Sequence, residues 1–233
     1  MGIRAVLFDL GNTLVSYYAL PEFPPILRQS LRACADLLDC ALSFDQEEQL
    51  LARALGFNVE RADHRVWPLR ERLSALFGTR GALLPGLEQA FLEPIFALAR
   101  ADPAGVPLLR ELRARGVRTG VVSNTPWGSC AEPWRGELER HGLLRELDVA
   151  VFCSDVGFRK PHAAPFVRAL SRLDVDAADA LFVGDDPHWD VEGARRAGLR
   201  PVCLSAGELV PRSDCESIRC LADVLTLLPA AAR

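Results

Sequence analysis

The sequence predicts an α/β protein built on a parallel β-sheet, with a helical segment inserted after the first strand. Short apolar runs rich in β-branched residues recur along the chain, and helical patterns lie around the later runs. About 110 residues separate the first run from the second, whereas about 30 residues separate the later runs. The alternation of strand and helix is typical of an open α/β sheet with right-handed crossovers. The long first gap indicates the insertion.

Five apolar runs are predicted to be strands. Each run is too short for a helix and lacks the alternation of a half-exposed strand, as expected of strands that are buried on both faces of a parallel sheet. The predicted strands cover residues 3–8, 117–122, 149–152, 180–183 and 201–204.

Three helices are predicted around the later strands, because apolar residues recur there every three or four positions. Two of the patterns are followed by a glycine, Gly116 or Gly198, at the place of a C-terminal helix cap. The repeated positions are Val106, Leu109 and Leu112, then Phe166, Leu170 and Leu173, and finally Val191, Ala194 and Ala197.

The long gap after the first strand is mostly helical. Apolar residues recur with helical spacing within residues 27–38, and residues 46–55 form a second amphipathic pattern. We therefore predict two domains. A Rossmann-like parallel α/β core is formed by residues 1–15 and 101–233, and an α-helical cap domain is formed by residues 16–100.

The composition is that of an ordinary globular protein and excludes several functional classes. Hydrophobic residues make up 49% of the 233 residues and charged residues 25%, which are average values. The net charge of −4, with interspersed charges, gives no surface for nucleic acid or for an anionic membrane. Seven cysteines without a CxxC pair argue against a disulfide framework. The first residues do not resemble a signal peptide, so we expect a cytoplasmic protein; its oligomeric state is left open.

Polar and charged side chains follow each of the first four predicted strands. In doubly wound sheets the carboxyl ends of the strands open onto the ligand crevice, so we expect these side chains to meet at one place. Carboxylates this close require a counter-ion, and their hard oxygen atoms suit Mg²⁺. In the order of the strands, the side chains are Asp9, then Ser123 and Asn124, then Lys160, and then Asp185, Asp186 and Asp190.

Lys160 is the only lysine among the 27 basic residues of the chain. An ammonium group is a compact charge on a flexible stem, whereas a guanidinium group is a planar fork. A site that places one positive charge between closely spaced oxygen atoms therefore requires lysine. The alternative interpretation, a lysine that remained at an arbitrary surface position, is weakened by the reactive residues at the neighbouring strand ends.

Four short motifs carry these residues: FDLGNTL, VVSN, RKP and GDDPHWD. In their order, spacing and placement at strand ends they resemble the four motifs of the haloacid dehalogenase (HAD) superfamily. The helical insertion after the first motif resembles the cap domain of that superfamily. Each motif alone is weak evidence, and the four in order are strong evidence. The resemblance covers residues 3–204 outside the insertion, and it implies a hydrolase whose active site lies between core and cap.

The resemblance also implies a role for each residue around a small phosphorylated substrate. Asp9 is expected to be the nucleophile that attacks phosphorus and forms an aspartyl-phosphate. Ser123, Asn124 and Lys160 are expected to bind the phosphoryl group. Lys160 would also neutralise the nucleophile and the transferring oxygen atoms, which are the charges that catalysis of phosphoryl transfer must stabilise.

A bound Mg²⁺ is the cofactor that the resemblance implies. Asp9, Asp185 and the backbone carbonyl of Gly11 are its expected ligands. Asp190 is expected to orient the lysine or a metal-bound water from behind. Asp186 would act in the same way or only cap the following turn.

Gly11 departs from the pattern of the superfamily's phosphatases, which usually have a second Asp two residues after the nucleophile. That Asp protonates the leaving alcohol and then activates water, and such general acid–base help contributes typically ~10²–10⁴-fold. Glu22, Asp63 and His64 are the candidate replacements within the cap. Gly11 and the following asparagine both tolerate the positive φ of a tight turn.

Three functional hypotheses remain open because of Gly11. The first is a Mg²⁺-dependent phosphatase that obtains the proton elsewhere. The second is a metal-independent 2-haloacid dehalogenase, since a halide leaves without a proton, although the pair of acids at 185 and 186 argues for a metal. The third is a family member that binds a ligand or partner without turnover, although the retained reactive residues argue against it. The phosphatase hypothesis is favoured.

Aromatic residues near the motifs have two possible roles. Tyr17, Tyr18 and Phe23 follow the first strand, where the chain enters the predicted cap, and they either line the substrate pocket or pack at the domain junction. The same alternatives hold for Trp127. Arg159 directly precedes the lysine, and we expect its side chain to point away from the site.

Overall fold

The strands form a six-stranded sheet and a separate two-stranded ribbon, within the residues that the computed structural model describes, 2–57, 61–205 and 215–228. They are β1 (Ala5–Phe8), β2 (Val15–Ser16), β3 (Arg100–Ala101), β4 (Arg118–Ser123), β5 (Val149–Phe152), β6 (Ala180–Gly184), β7 (Arg200–Leu204) and β8 (Glu216–Ile218).

The large sheet is parallel throughout and has the order β5-β4-β1-β6-β7-β8. All five predicted strands are present in it, which confirms the predicted fold class. The edge strand β8 was not predicted, because only one of its residues, Ile218, is buried and it therefore has no apolar run. Strands β4 and β5 lie on one side of β1, and strands β6, β7 and β8 lie on the other side, so β1 is an inner strand of the sheet.

Helices occupy most of the remaining described residues. The α-helices are α1 (Phe23–Leu37), α2 (Phe44–Phe57), α3 (Leu69–Phe77), α4 (Leu84–Phe96), α5 (Gly105–Ala114), α6 (Ala131–Arg140), α7 (Cys153–Val156), α8 (Ala164–Leu173) and α9 (Gly193–Arg196). Short 3₁₀ segments lie at Leu20–Glu22, Gly81–Leu83, Pro126–Gly128, Leu144–Glu146, Ala177–Asp179 and Leu221–Leu227. None of the described helices is long and apolar enough to cross a bilayer.

Different helices cover the two faces of the sheet, and the side chains of β1 alternate between them. Val6 and Phe8 belong to a buried cluster with residues of α5 and α6, whereas Ala5 and Leu7 belong to a second cluster with residues of α8 and α9. All four side chains are fully buried. Burial on both faces explains why this run shows no polar alternation.

The helix predicted from Val191, Ala194 and Ala197 is shorter and less regular than its pattern indicates. A π-helical turn, Pro187–Glu192, comes first and α9 follows it directly. The turn begins where the side chain of Asp186 accepts hydrogen bonds from two successive backbone N–H groups. The predicted stop is correct, since Gly198 has a positive φ of 84°.

The insertion contains α1 to α4, and its two ends meet at the ribbon of β2 and β3. Val15 pairs with Ala101 and Ser16 with Arg100 in an antiparallel register. The chain thus leaves the sheet and returns to it at adjacent points. The division into a core of residues 1–15 and 101–233 and a cap of residues 16–100 stays a prediction.

A buried arginine connects the insertion to the loop after β4. Arg72 of α3 is 3% exposed, and its guanidinium group lies over the rings of Trp67 and Trp127. Gly128, in that loop, has a positive φ of 68°, and a Cβ there would lie 2.4 Å from the carbonyl oxygen of Trp67. Only glycine therefore allows the two segments to approach this closely.

Candidate active site

Neighbouring strands bring the predicted residues to one edge of the sheet. β1 lies between β4 and β6. Its last residue, Phe8, pairs with Val121 of β4 and Val183 of β6, and each of these lies two positions before a predicted site residue, Ser123 or Asp185. The side chains at these ends line a single cavity of about 230 Å³. The predicted site residues in its lining are Asp9, Gly11, Ser123, Asn124, Lys160, Asp185, Asp186 and Asp190.

Lys160 joins two carboxylates in the floor of this cavity. Its Nζ donates to Oδ1 of Asp9 at 2.7 Å and to Oδ1 of Asp190 at 2.6 Å. The lysine is 1% exposed, and so is Asp190, whereas the side chain of Asp9 is 13% exposed. Asp9 is therefore the member of this triad that a molecule in the cavity can reach.

The charge of Lys160 is stabilised by its two partners. Burial lowers the pKa of Lys160, but the negative charges of Asp190 and Asp9 outweigh burial and raise the pKa overall. The ammonium form is therefore retained at neutral pH. Burial raises the pKa of Asp190, and the charge of Lys160 opposes that increase. The triad contains two carboxylates and one ammonium group, so it carries a net negative charge.

A third carboxylate adds to this excess of negative charge. Oxygen atoms of Asp9, Asp185 and Asp190 all lie within 4.8 Å of one another. Burial and, after it, the negative charge of Asp9 raise the pKa of Asp185 to about 6. Clustered carboxylate oxygens that repel each other are a donor set that suits a hard divalent cation.

Asp190 is less available to a cation than the other two acids. Its Oδ1 accepts from Lys160, and its Oδ2 accepts from the backbone N–H of Asp186 at 3.1 Å. Asp9 and Asp185 therefore remain as the carboxylates that fit Mg²⁺. This geometry favours the predicted division between ligands and supporting residues, and the assignment of individual ligands stays a prediction.

Asn124 holds the backbone of Lys160 from both sides. Its Oδ1 accepts from the Lys160 backbone N–H at 2.8 Å, and its Nδ2 donates to the Lys160 carbonyl oxygen at 3.1 Å. Ser123 is 5% exposed, and its hydroxyl donates to the Asn124 carbonyl oxygen at 3.2 Å. The contacts of Asn124 favour a role in positioning Lys160, and its predicted contact with substrate stays a prediction.

Asp186 is the N-terminal cap of the π-helical turn. Its Oδ1 accepts from the backbone N–H groups of His188 at 2.8 Å and Trp189 at 2.7 Å. These bonds fix the turn that brings the carboxylate of Asp190 into hydrogen-bond contact with Lys160. The capping contact is thus observed, and the supporting role expected for Asp186 stays a prediction.

Aromatic residues form the wall of the cavity. Tyr17 and Tyr18 line it together with Trp134 of α6 and Trp189, whereas Phe23 stacks on Tyr18 with ring centres 5.5 Å apart. Trp134 was not predicted, because the sequence of α6 indicates only that this face of the helix is buried. Ile95 of α4 also lines the cavity, and no motif marks it.

Trp127 packs instead of lining the cavity. It is 2% exposed, and its ring centre is 5.2 Å from that of Phe91 in α4. Of the two alternatives for Trp127, packing between the insertion and the core is the one observed.

The expectation that Arg159 points away from the site is wrong. Arg159 lines the cavity together with Lys160, and its guanidinium carbon lies 5.4 Å from the centre of the Trp189 ring. The backbone N–H of Arg159 donates to the carbonyl oxygen of His64 at 2.8 Å. This bond between the insertion and the core orients the residue toward the cavity.

The three candidate acids of the insertion lie away from the reacting groups. Glu22 is exposed and accepts from the backbone N–H of Ala19 at 2.7 Å, and Asp63 is exposed and accepts from Arg65. His64 contacts the core through its backbone. Among the described residues that line the cavity, none is Glu22, Asp63 or His64, so their proposed role as acid is not supported.

Gly11 is not required by the local backbone. The positive φ of this turn, 55°, belongs to Asn12, and a Cβ at position 11 would have nothing within 4 Å. Of the two residues that tolerate a positive φ, only Asn12 adopts one in this turn. A Cβ at position 11 is therefore not excluded by its surroundings.

Comparisons with known proteins agree with this site. The family model for haloacid dehalogenase-like hydrolases matches residues 3–198. The chain is 30% identical over 219 residues to a glyceraldehyde 3-phosphate phosphatase of Methanopyrus kandleri, covering 91% of this chain and 89% of that protein. It is 34% identical over 206 residues to a phosphoglycolate phosphatase of Rhodospirillum rubrum, covering 88% of this chain and 80% of that protein.

A solved structure shows the same fold over almost the whole chain. The HAD phosphatase of Thermococcus onnurineus is similar with a TM-score of 0.69 and 25% identity, and the similarity covers 96% of this chain and 97% of that one. The matched region includes all four motifs and the strands that carry them. The chain belongs to the haloacid dehalogenase-like hydrolases.

Proposed function

We propose that the protein is a Mg²⁺-dependent phosphohydrolase that acts on a small phosphorylated metabolite through an aspartyl-phosphate on Asp9. The observation that carries this proposal is the pairing of the accessible Asp9 carboxylate with the buried Lys160 ammonium at 2.7 Å beside the carboxylate of Asp185. The cavity of about 230 Å³ fits a small substrate. The relatives named as phosphatases support the same reaction class.

In the first step, an oxygen atom of Asp9 attacks phosphorus, and the bond from phosphorus to the ester oxygen breaks. Lys160 balances the charge of the carboxylate and of the transferring oxygen atoms, and Ser123 donates a hydrogen bond to one of them. In the second step, water attacks the same phosphorus atom, which releases phosphate and restores Asp9. Mg²⁺ held by Asp9, Asp185 and the Gly11 carbonyl would supply further positive charge toward the phosphoryl group.

The leaving oxygen must obtain its proton without an acid at position 11. No acidic residue of the insertion replaces it among the described lining residues, so the proton comes from water in the cavity or from the substrate itself. We therefore propose slow turnover of simple alkyl phosphates and faster turnover of esters whose leaving group is a weak base, since general acid help matters least for those.

The helical insertion of residues 16–100 is proposed to act as a cap. It contributes Tyr17, Tyr18 and Ile95 to the cavity wall, so its position determines the space above Asp9. Opening would admit substrate, and closing would exclude bulk water from the first step.

A 2-haloacid dehalogenase is the second candidate, and Gly11 is the observation that favours it. A halide leaves as an anion and needs no proton, so the missing acid would not slow that reaction. The cluster of Asp9, Asp185 and Asp190 within 4.8 Å argues against it, because a metal-independent enzyme gains nothing from three repelling carboxylates.

A substrate panel distinguishes these candidates. Phosphate esters and 2-haloacids are incubated with the protein in Mg²⁺ or in a chelator, and phosphate or halide release is measured. We expect Mg²⁺-dependent phosphate release that Asp9→Asn abolishes. The matched control is Asp36→Asn, which changes an exposed acid of α1. Halide release that persists in the chelator would replace the phosphatase with the dehalogenase, and no release of either product would leave non-catalytic binding.

A further inference from the structure

We propose that Arg159 binds a carboxylate on the leaving-group side of the substrate, so that the preferred substrates are small phosphorylated carboxylic acids. This inference rests on the proposed phosphatase function and deepens it by naming a substrate class. It is carried by Arg159, which lines the cavity and whose guanidinium group stacks on Trp189 without a carboxylate partner among the described residues.

The first observation is an unsatisfied donor. The Nε atom of Arg159 is shielded from solvent and has no hydrogen-bond partner, although the residue lines the cavity. Within residues 2–57, 61–205 and 215–228, its guanidinium group also has no carboxylate within ion-pair distance. No acceptor of the described residues therefore competes with a ligand for the charge of this guanidinium group.

The second observation concerns the other cation of the cavity. Lys160 is already engaged by Asp9 at 2.7 Å and by Asp190 at 2.6 Å, and the phosphoryl group belongs to that position. Arg159 is therefore the positive charge that remains for a second anionic group of the substrate. Its guanidinium carbon lies 5.4 Å from the centre of the Trp189 ring, which also lines the cavity.

The third observation is that Arg159 is held in place. Its backbone N–H donates to the His64 carbonyl oxygen at 2.8 Å, and the Val66 N–H donates to the Gly157 carbonyl oxygen at 2.9 Å. Burial raises the pKa of Tyr18 to about 12, and the positive charge of Arg159 opposes that increase, as expected of a guanidinium group near the phenol. A fixed fork loses little entropy when it binds an anion.

The geometry of the group and the size of the cavity favour a carboxylate. A guanidinium fork matches the two oxygen atoms of a carboxylate in a planar, bidentate contact. The cavity of about 230 Å³ is smaller than the ~300–1,000 Å³ of typical ligand pockets. The phosphoryl group and its hydration take a large share, which leaves room for a leaving group of only a few atoms.

The turnover test compares two esters that differ only in the second group. 2-Phosphoglycolate has a carboxylate where 2-hydroxyethyl phosphate has a neutral hydroxymethyl group. We expect Arg159→Gln to lower kcat/KM for 2-phosphoglycolate about 10- to 100-fold more than for the neutral ester, mainly through KM, because a charged hydrogen-bond partner is lost. The control is Arg168→Gln, which changes an exposed arginine of α8 outside the cavity. An equal loss for both esters would overturn the proposal.

A binding test keeps this inference separate from the phosphatase proposal. The non-hydrolysable 3-phosphonopropionate and the neutral propylphosphonate are titrated into the protein by calorimetry in the presence of Mg²⁺. We expect the acid to bind about 10- to 100-fold more tightly, and we expect Arg159→Gln to remove that preference.

The outcomes of the two tests separate the hypotheses. A binding preference without hydrolysis of either ester would support Arg159 as a carboxylate site and refute the phosphatase. Hydrolysis without any binding preference would support the phosphatase and overturn the role of Arg159. Tighter binding of ethane-1,2-diylbisphosphonate than of 3-phosphonopropionate would also overturn the proposal, because the second group would then be a phosphoryl group.

Discussion

Replacing Gly184 by alanine should impair the site although no charged residue is substituted. Gly184 is the last residue of β6, and a Cβ there would lie 2.3 Å from Oδ2 and 2.4 Å from Cγ of Asp190. Ordinary contacts begin at 3.4 Å, so the carboxylate must retreat by about 1 Å. A shift of that size takes the 2.6 Å bond between Asp190 and Lys160 out of hydrogen-bond range.

The cost can be worked out from this displacement. A lost hydrogen bond to a charged group costs about 1.5–3 kcal/mol, and overpacking of a buried site costs about 1–3 kcal/mol. We therefore expect the free energy of unfolding to fall by about 3 kcal/mol. The rate of phosphate release should fall about 100-fold, since a misplacement of about 1 Å has that effect on a positioned group, and Lys160 loses one of its two supports.

The assays are urea denaturation followed by tryptophan fluorescence and the hydrolysis of p-nitrophenyl phosphate in Mg²⁺. Gly136→Ala in α6 is the matched control, because a Cβ there meets nothing within 4 Å. That variant should keep its activity and gain about 0.5–1 kcal/mol of stability, as expected when alanine replaces a helical glycine. A Gly184→Ala variant with native stability and native activity would refute the reasoning.

A double-mutant cycle shows whether the loss acts through Asp190. In an Asp190→Gly background, all three side-chain atoms that clash with the new Cβ, namely Oδ2, Cγ and Cβ of Asp190, are absent. The further loss of stability caused by Gly184→Ala should then be smaller by more than about 0.5 kcal/mol, the range expected for residues in contact. If Gly184→Ala lowers the free energy of unfolding equally in both backgrounds, the new methyl group does not act through Asp190.

Three further predictions follow from the same contacts. Gly11→Asp should raise kcat for simple alkyl phosphates by about 10²-fold, the lower end of the range for general acid catalysis. Gly11→Asn should leave kcat unchanged, and steady-state kinetics of both variants test this. Mg²⁺ at 100 times its Kd should stabilise the protein by about 2.7 kcal/mol in a thermal melt, and Asp185→Asn should remove most of that gain. Arg72→Met should lower the free energy of unfolding by about 2–4 kcal/mol, because Arg72 donates to the carbonyl oxygens of Trp67 and Phe57; an unchanged urea midpoint would contradict this.

Local sequence patterns predict the sheet and the residues at the carboxyl ends of its strands. A strand that is buried on both faces is one contiguous apolar run, as in residues 180–183, and the polar residue that ends the run marks its position in the fold. The order of the motifs and the parallel topology then place Asp9, Ser123 and Asp185 side by side. The edge strand β8 could not be predicted in this way, because its exposed residues leave it without an apolar run.

The cavity wall required the structure because distant segments build it. The helical pattern of α6 indicates which face is buried, but Trp134 faces the cavity only because α6 packs beside the entrance of the insertion. The direction of Arg159 depends on its hydrogen bond to His64, about 95 positions away in the chain. The double contact between Asn124 and Lys160 is likewise a matter of three-dimensional geometry that spacing does not encode.

The ribbon of β2 and β3 makes the insertion exchangeable as a single piece. Because residues 15–16 and 100–101 are hydrogen-bonded neighbours, everything between them can be grafted from one relative to another through two adjacent joints. Asp9, Lys160 and the acidic residues at 185, 186 and 190 all lie outside those joints, so such a graft alters the cavity wall and leaves these side chains in the chain. We therefore expect a chimera made at these joints to change the part of the cavity wall that Tyr17, Tyr18 and Ile95 form.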